Sequence, residues 1–132
     1  MLVLSVIIIG LSIAVGISMF HNHQVRNNRV AVIGDLTALA SVAASYYKTP
    51  ADMGGGAGIW DVDLLGPNLG HIYNSSTSSV FTENGTYTFS SSGDVLSVVG
   101  TGTEIGSNGS TNVQALLTLT GATNQMTTTV LN

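Results

Sequence analysis

The chain begins with an apolar run and then changes to an amphipathic pattern. Residues 1–20 are almost wholly apolar, and at about 1.5 Å per residue they form about 30 Å of helix, enough to cross a bilayer core. From residue 25 onward, apolar side chains recur at intervals of three, four and seven, as on one helix face; they are Val25, Val32, Leu36, Leu39, Ala43 and Tyr46. The pattern predicts one helix over residues 1 to about 48, with an apolar half that projects from the domain.

Proline and glycine end this helix. Pro50 disfavours helical geometry at Thr49, and Gly54-Gly55-Gly56 follow. We interpret residues 50–70 as a Gly-rich loop, and expect its larger apolar side chains, Trp60, Leu64 and Leu65, to pack against the helix. Gly34 lies inside the helix, where glycine costs about 1 kcal/mol relative to alanine. We expect Gly34 to mark close packing against the rest of the domain.

The remainder of the chain is rich in β-forming residues separated by turn signals. Four strands are predicted, at 86–89, 95–99, 113–120 and 125–131. In meander order they form a small antiparallel β-sheet, with Tyr87 and Phe89 facing the amphipathic helix and Ser and Thr on the other face. The predicted class is α+β. Residues 1–24 form the projecting helix and residues 25–132 a globular head, comprising the amphipathic helix 25–48, the loop 50–70 and the sheet 71–132.

The apolar run does not have the features of a secretory signal peptide, because it lacks a basic n-region and a small-residue cleavage site. A membrane anchor stays open as an alternative. The nearby charges, Arg26 and Arg29, follow the run and would keep the rest of the chain in the cytoplasm, whereas the composition of that remainder suits an outer surface. A short basic leader, removed in front of Met1, would resolve this conflict.

Charge is scarce and unevenly distributed. Charged residues make up 8% of the chain, and no Lys or Arg follows Lys48, whereas residues 71–132 hold 10 Ser and 13 Thr. All acids except Asp35 lie beyond residue 50, so the head is a poor candidate for binding phosphate backbones and no nucleic-acid partner is predicted. The chain has no cysteine, so no disulfide stabilises the small domain. Neighbouring subunits are the expected source of further stability.

No catalytic, cofactor or metal site is predicted. His21 and His23 are two residues apart and point about 200° apart on a helix, which does not suit a shared metal. Asp61 and Asp63 lack the further oxygen ligands of a calcium loop, and are interpreted as solvated turn acids. Three N-x-S/T sequons, at Asn74, Asn84 and Asn108, fall in predicted turns and are candidate glycosylation sites, although such a composition also produces sequons by chance.

This arrangement resembles the type IV pilin family. The start Met1 to Ile9, MLVLSVIII, is similar to the mature end of a pilin after prepilin-peptidase cleavage. The segments Asn28 to Leu36, Tyr46-Tyr47, Met53 to Gly56, Asn84 to Tyr87 and Gly100 to Glu104 resemble short pilin-like proteins of environmental bacteria. Two positions depart from the family: Ser5 stands where a glutamate usually pairs with the N-terminal amine of a neighbouring subunit, and Asn22 where a helix-breaking proline is usual.

The resemblance implies a structural protein and no enzyme. The subunit would wait in the inner membrane, be processed by a prepilin peptidase, carry N-methylation at Met1, and be assembled by pilus machinery into a helical homopolymer at the cell surface. The expected filament-core packing residues are Met1, Leu4, Ser5, Ile8, Gly10, Leu11, Ser12, Val15, Gly16 and Met19. A minor pilin or type II secretion pseudopilin, and a single-span membrane-anchored surface binding domain, are the alternatives.

Overall fold

A computed structural model describes residues 1–132 and shows one uninterrupted helix, α1, over Leu2–Lys48. Its 47 residues span about 70 Å. The helix ends where Thr49 adopts an extended conformation and its N–H donates to the carbonyls of Ser45 and Tyr46. Residues 1–24 are all exposed, and Val25 is the first buried residue. We call residues 1–24 the stem and residues 25–132 the head; the predicted projecting helix is confirmed.

The segment after α1, which we predicted to be a Gly-rich loop over residues 50–70, contains two short helical elements. A single 3-10 turn covers Ala51–Met53, and a short helix, α2, covers Val62–Asn68. Asp61 caps α2, because its carboxylate accepts hydrogen bonds from the N–H groups of Asp63 and Leu64 at 3.1 and 3.2 Å. Leu65 is buried as predicted, but Leu64 is 61% exposed. Adjacent helix residues point about 100° apart, so only one of these two can face the core.

The head contains one antiparallel sheet of six strands in the order of the chain. The strands are β1 (Ile72–Asn74), β2 (Ser79–Phe81), β3 (Gly85–Ser92), β4 (Val95–Ile105), β5 (Asn112–Thr120) and β6 (Gln125–Val130). The prediction of about four strands was therefore wrong in number. Strands β1 and β2 have three residues each, too few to show an alternating pattern. Strand β2 pairs with β3, where Val80 lies opposite Tyr87, and β1 pairs with β2.

The sheet packs one face onto the head half of α1. The predicted inward pair, Tyr87 and Phe89, is buried there. The predicted helix face is also buried, and the core joins both elements to Trp60 and the end of α2; its members are Val32, Leu36, Leu39, Ala40, Ala43, Tyr46, Trp60, Leu65, Leu69, Val80, Tyr87, Phe89, Leu96, Val98, Ala115, Leu117 and Leu119. The α+β class and the helix-on-sheet packing are thus confirmed.

Two glycines in β4 allow α1 to lie close to the sheet. A Cβ on Gly100 would lie 2.9 Å from Val32 Cγ1, and a Cβ on Gly102 would lie 2.0 Å from Asn28 Oδ1. β4 continues past Val99, where we expected it to end, because residues 100–102 pair with β3 and residues 100–101 with β5. Gly34, by contrast, is exposed, and a Cβ there would meet nothing within 4 Å. The expectation that Gly34 packs closely was wrong, because it lies on the side of α1 that faces away from the sheet.

The stem and its attachment as a candidate assembly site

The stem exposes an apolar surface that no part of the head covers. Its most apolar 18-residue window has a mean hydropathy of 2.6 and no buried residue. Fourteen large apolar side chains of residues 1–20 are more than half exposed. By length and composition the helix is able to cross a membrane.

Most of the predicted packing residues share one side of the stem. At 100° per residue, positions 1, 4, 5, 8, 11, 12, 15, 16 and 19 form a continuous stripe along the helix. Gly10 lies on the opposite side. All ten residues are exposed in the single chain, so the fold brings none of them into contact with the head.

Two of the three serine hydroxyls of the stem donate hydrogen bonds within the helix. Ser5 Oγ donates to Met1 O at 3.1 Å, and Ser12 Oγ donates to Ile8 O at 2.8 Å. Such bonds leave no unsatisfied hydroxyl donor when a helix enters an apolar environment. Gly10 and Gly16 have open space where a Cβ would lie, and small residues allow a neighbouring helix to approach closely.

Hydrogen bonds of the Asn28 side chain attach α1 to the head just beyond the stem. Its side-chain Oδ1 accepts hydrogen bonds from the N–H groups of Thr103 and Glu104 at 3.1 and 3.3 Å. Its Nδ2 donates to the carbonyl of Asn84 at 3.1 Å and to Thr103 Oγ1 at 3.3 Å. One amide thus joins α1 to the end of β4 and to the turn before β3.

Asp35, two helical turns further on, makes a second attachment. Its Oδ2 accepts hydrogen bonds from Thr82 Oγ1 at 2.8 Å, Asn84 Nδ2 at 3.1 Å and Tyr87 OH at 2.8 Å. Burial raises the pKa of this carboxyl, but the three hydrogen bonds and the nearby His71 outweigh burial, so the pKa lies below its ordinary value. Burial, together with the Asp35 carboxylate, raises the pKa of Tyr87.

A third attachment lies at the other end of α1. The hydroxyl of Tyr47 donates to the carboxylate of Asp94, which also accepts from the N–H of Ala122 at 3.0 and 3.1 Å. Trp60 Nε1 donates to the backbone carbonyl of Asp94 at 2.9 Å, and the Trp60 and Tyr47 rings lie 4.6 Å apart. The three attachments span the head half of α1, so the stem is a rigid extension of a helix that the head holds along its length.

The outer face of the sheet, which points away from α1, carries no charge over strands β3 to β6. Most of its side chains bear a hydroxyl group; its members are Thr86, Thr88, Ser90, Ser92, Val95, Ser97, Val99, Thr101, Gln114, Leu116, Thr118, Thr120, Gln125, Thr127 and Thr129. The exposed side of α1 in the head is also uncharged between Val30 and Ser45. Both broad surfaces of the head are therefore polar or apolar without ionic groups.

The three sequons occupy different environments. Asn74 and Asn108 are exposed, and each side-chain oxygen accepts a backbone N–H two residues on, which stabilises a turn. Asn84 is half-buried, and its amide donates to Asp35. A glycan on Asn84 would compete with this attachment, whereas Asn74 and Asn108 remain accessible candidates.

Other predicted polar groups lie apart from one another. His21 and His23 are exposed on the stem, while Asp61 caps α2 and Asp63 accepts a hydrogen bond from Tyr73 OH at 3.2 Å. No group of three or more His, Asp or Glu side chains is arranged to hold a metal ion. A depression of about 810 Å³ lies beside Asp35 but opens widely to solvent, unlike an enclosed small-molecule pocket.

Sequence reasoning missed the three residues that attach α1 to the head. From the sequence alone, no structural role was predicted for Asn28, Asp35 or Asp94. A signal was present, since Asn28 and Asp35 are seven residues apart and thus on one side of the helix. Their partners, however, are about 50 to 75 positions away in the chain.

No protein-family model matches the chain, no curated protein matches it, and no solved structure matches it. A function for the chain is therefore inferred from the stem, the head and their attachment.

Proposed function

We propose that this chain is the structural subunit of a type IV pilus-like extracellular filament, polymerising through bundling of its stems. The observation that carries the proposal is the fully exposed apolar stem, which continues without a break into a helix held by the head. A helix of this kind transmits the position of the stem directly to the head. Packing the stems of many copies together would arrange the heads around them as a regular shell.

Energetics require a covering for the stem. Burying a large apolar side chain contributes about 1.5–3 kcal/mol relative to water, so the fourteen exposed side chains amount to tens of kcal/mol. A bilayer and a bundle of stems both supply this burial. We propose that the subunit rests in the inner membrane first and moves into the bundle during assembly, because the free energy difference between lipid and bundle is much smaller than that between either one and water.

Local features of the stem support helix bundling. Ser12 with Gly16, and Ala14 with Ser18, place small residues four apart, a spacing that allows close helix packing. The uncharged outer sheet face and the uncharged side of α1 suit a surface that meets other copies or faces the medium without ionic contacts. Cleavage by a prepilin peptidase, N-methylation of Met1 and assembly by pilus machinery belong to the same proposal.

Two other functions share the same stem. A minor pilin or type II secretion pseudopilin would assemble in small numbers, and an anchored surface binding domain would keep the stem in lipid permanently. The widely open depression beside Asp35 offers little enclosure for a ligand, which favours the filament over the binding domain.

The test is electron microscopy of filaments sheared from cells that express the chain, combined with mass spectrometry of the filament protein. We expect filaments that contain this chain as the main component, with a methylated Met1. Filaments in which it is a trace component would favour the minor pilin. Membrane fractions that contain the chain, without any filament, would favour the anchored domain.

A further inference from the structure

The chain places positive charge beside the stem without a matching acid. Arg26 and Arg29, which we call the collar, follow the stem, and the first acidic residue of the chain is Asp35. The carboxylate of Asp35 already accepts three hydrogen bonds from the head. Glu104 lines a groove with Gln24, Asn27 and Asn28, on another side of α1 from the two arginines.

The two arginines have unused hydrogen-bonding capacity. Arg26 is exposed. Arg29 donates to Ser107 Oγ at 3.2 Å, and its Nε is buried without an acceptor. A buried donor without a partner is costly, and a guanidinium is suited to binding a phosphate through two parallel hydrogen bonds. Both arginines therefore retain donors that suit an anion.

The arginines also continue the packing stripe of the stem. Arg26 follows Ser5, Ser12 and Met19 at steps of seven residues, and Arg29 follows Met1, Ile8, Val15 and Asn22 at the same steps. Seven residues of an α-helix return to within about 20° of the starting direction. Bundling of stems would therefore bring the arginines of neighbouring copies towards one another. Like charges repel strongly where water is scarce, unless an anion lies between them.

We propose that the collar binds the phosphate of an anionic phospholipid, which stays with the subunit when the stems assemble; this inference rests on the proposed filament function. A lipid suits the position better than free phosphate because the site lies at the edge of an apolar surface. Arg26 is about 9 Å along the helix from Phe20, and side chains on a helix lean towards its N-terminus, here towards the stem. The phosphate would contact the arginines while the acyl chains cover the stem.

The first test measures lipid selectivity by native mass spectrometry of the full chain in mixed micelles of equimolar phosphatidylcholine and phosphatidylglycerol. We expect phosphatidylglycerol adducts to dominate, and the double variant R26Q/R29Q to reduce the selectivity about thirtyfold, the factor for two arginines at an anionic surface. K48Q is the matched control, since it removes a charge at the far end of α1. Equal abundance of the two lipid adducts on the unmodified chain would overturn the proposal. Loss of the phosphatidylglycerol adduct on adding an equal concentration of inorganic phosphate would also overturn it.

The second test separates this inference from the filament function. Filaments are extracted with organic solvent, and lipid phosphorus is measured against protein. We expect phospholipid in a constant ratio to subunits, and its loss in any filaments that R26Q/R29Q forms. Filaments free of phospholipid would overturn the lipid proposal and leave the filament function intact. Selective binding of phosphatidylglycerol by a chain that never forms filaments would support lipid binding by the collar and overturn the filament function.

Discussion

The hydroxyl of Tyr87, at the centre of the buried sheet face, donates a hydrogen bond to Asp35 Oδ2 at 2.8 Å. These residues are 52 positions apart, so this bond fixes the position of α1 relative to β3. Thr82 and Asn84 donate to the same oxygen. The attachment therefore combines a buried tyrosine with a carboxylate that three donors hold in its charged form.

Replacing Tyr87 by Phe should destabilise the head by about 1–2 kcal/mol, because it removes a hydrogen bond to a charged acceptor and leaves the ring in place. Chemical denaturation of the full chain in detergent measures this change. Tyr73→Phe is the matched control, since Tyr73 OH donates to the exposed Asp63 at 3.2 Å, and we expect a change below about 0.5 kcal/mol. An equal loss in both variants would contradict a special role for the Asp35 attachment.

The stability of the head should fall at both ends of the pH range. The pKa of Asp35 is lowered in the folded state, so its contribution is present above the unfolded value of about 3.9 and is lost as pH falls through the folded pKa. The pKa of Tyr87 is raised, so its contribution is present below about 10 and is lost as pH rises through the folded pKa. Unfolding curves from about pH 2 to about pH 11, a range that includes the ordinary carboxyl and phenol pKa values, test this. Asp35→Asn should flatten the acid limb, and an unchanged limb would count against the assignment.

The same substitution at two glycines should have opposite effects. Gly34→Ala should stabilise the chain by about 1 kcal/mol, because alanine is the better helix former and its Cβ meets open space. Gly100→Ala should destabilise it by about 1–3 kcal/mol, because its Cβ would overlap Val32 and Tyr87. Denaturation midpoints compare the two variants. A neutral Gly100→Ala would mean that α1 lies farther from β4 than the structure shows.

Removal of residues 1–24 should leave a folded, soluble monomer. Every member of the buried core lies between Val32 and Leu119, so the deletion removes no core contact. Circular dichroism and light scattering after chromatography without detergent test this expectation. Membrane association of the shortened chain would show that the head carries an anchor of its own.

Gly16→Leu should block filament assembly if stems pack through the stripe, since a leucine there would keep neighbouring helices apart. Ser90→Leu adds similar bulk at an exposed position of β3 and serves as the control. The yield of sheared filaments, normalised to the amount of chain in membranes, is the readout. Equal yields from the two variants would show that the stripe around Gly16 does not form the packing surface.

Sequence reasoning predicted the main architecture because the signals involved are local. The change from an apolar run to a 3.6-residue period predicts a single helix with a projecting half, and Pro50 predicts its end. Turn residues such as Asn84-Gly85 and Gly93-Asp94 mark the starts of β3 and β4. Each of these features depends on neighbours within a few residues. The apolar stem and the α+β class can therefore be predicted without a structure.

Only the tertiary structure decided which parts of the chain meet. Strand β2 exists because it pairs with β3, and β1 because it pairs with β2, while burial of Leu65 fixes α2 in place. The sequence predicted close packing at Gly34, whereas the structure shows it at Gly100. The direction in which α1 faces depends on packing with strands more than fifty residues away. Asn28, Asp35 and Asp94 are ordinary polar residues in the sequence. They attach α1 to the head because their hydrogen-bond partners come close only when the sheet packs on the helix. This long-range contact decides how rigidly the stem is joined to the head.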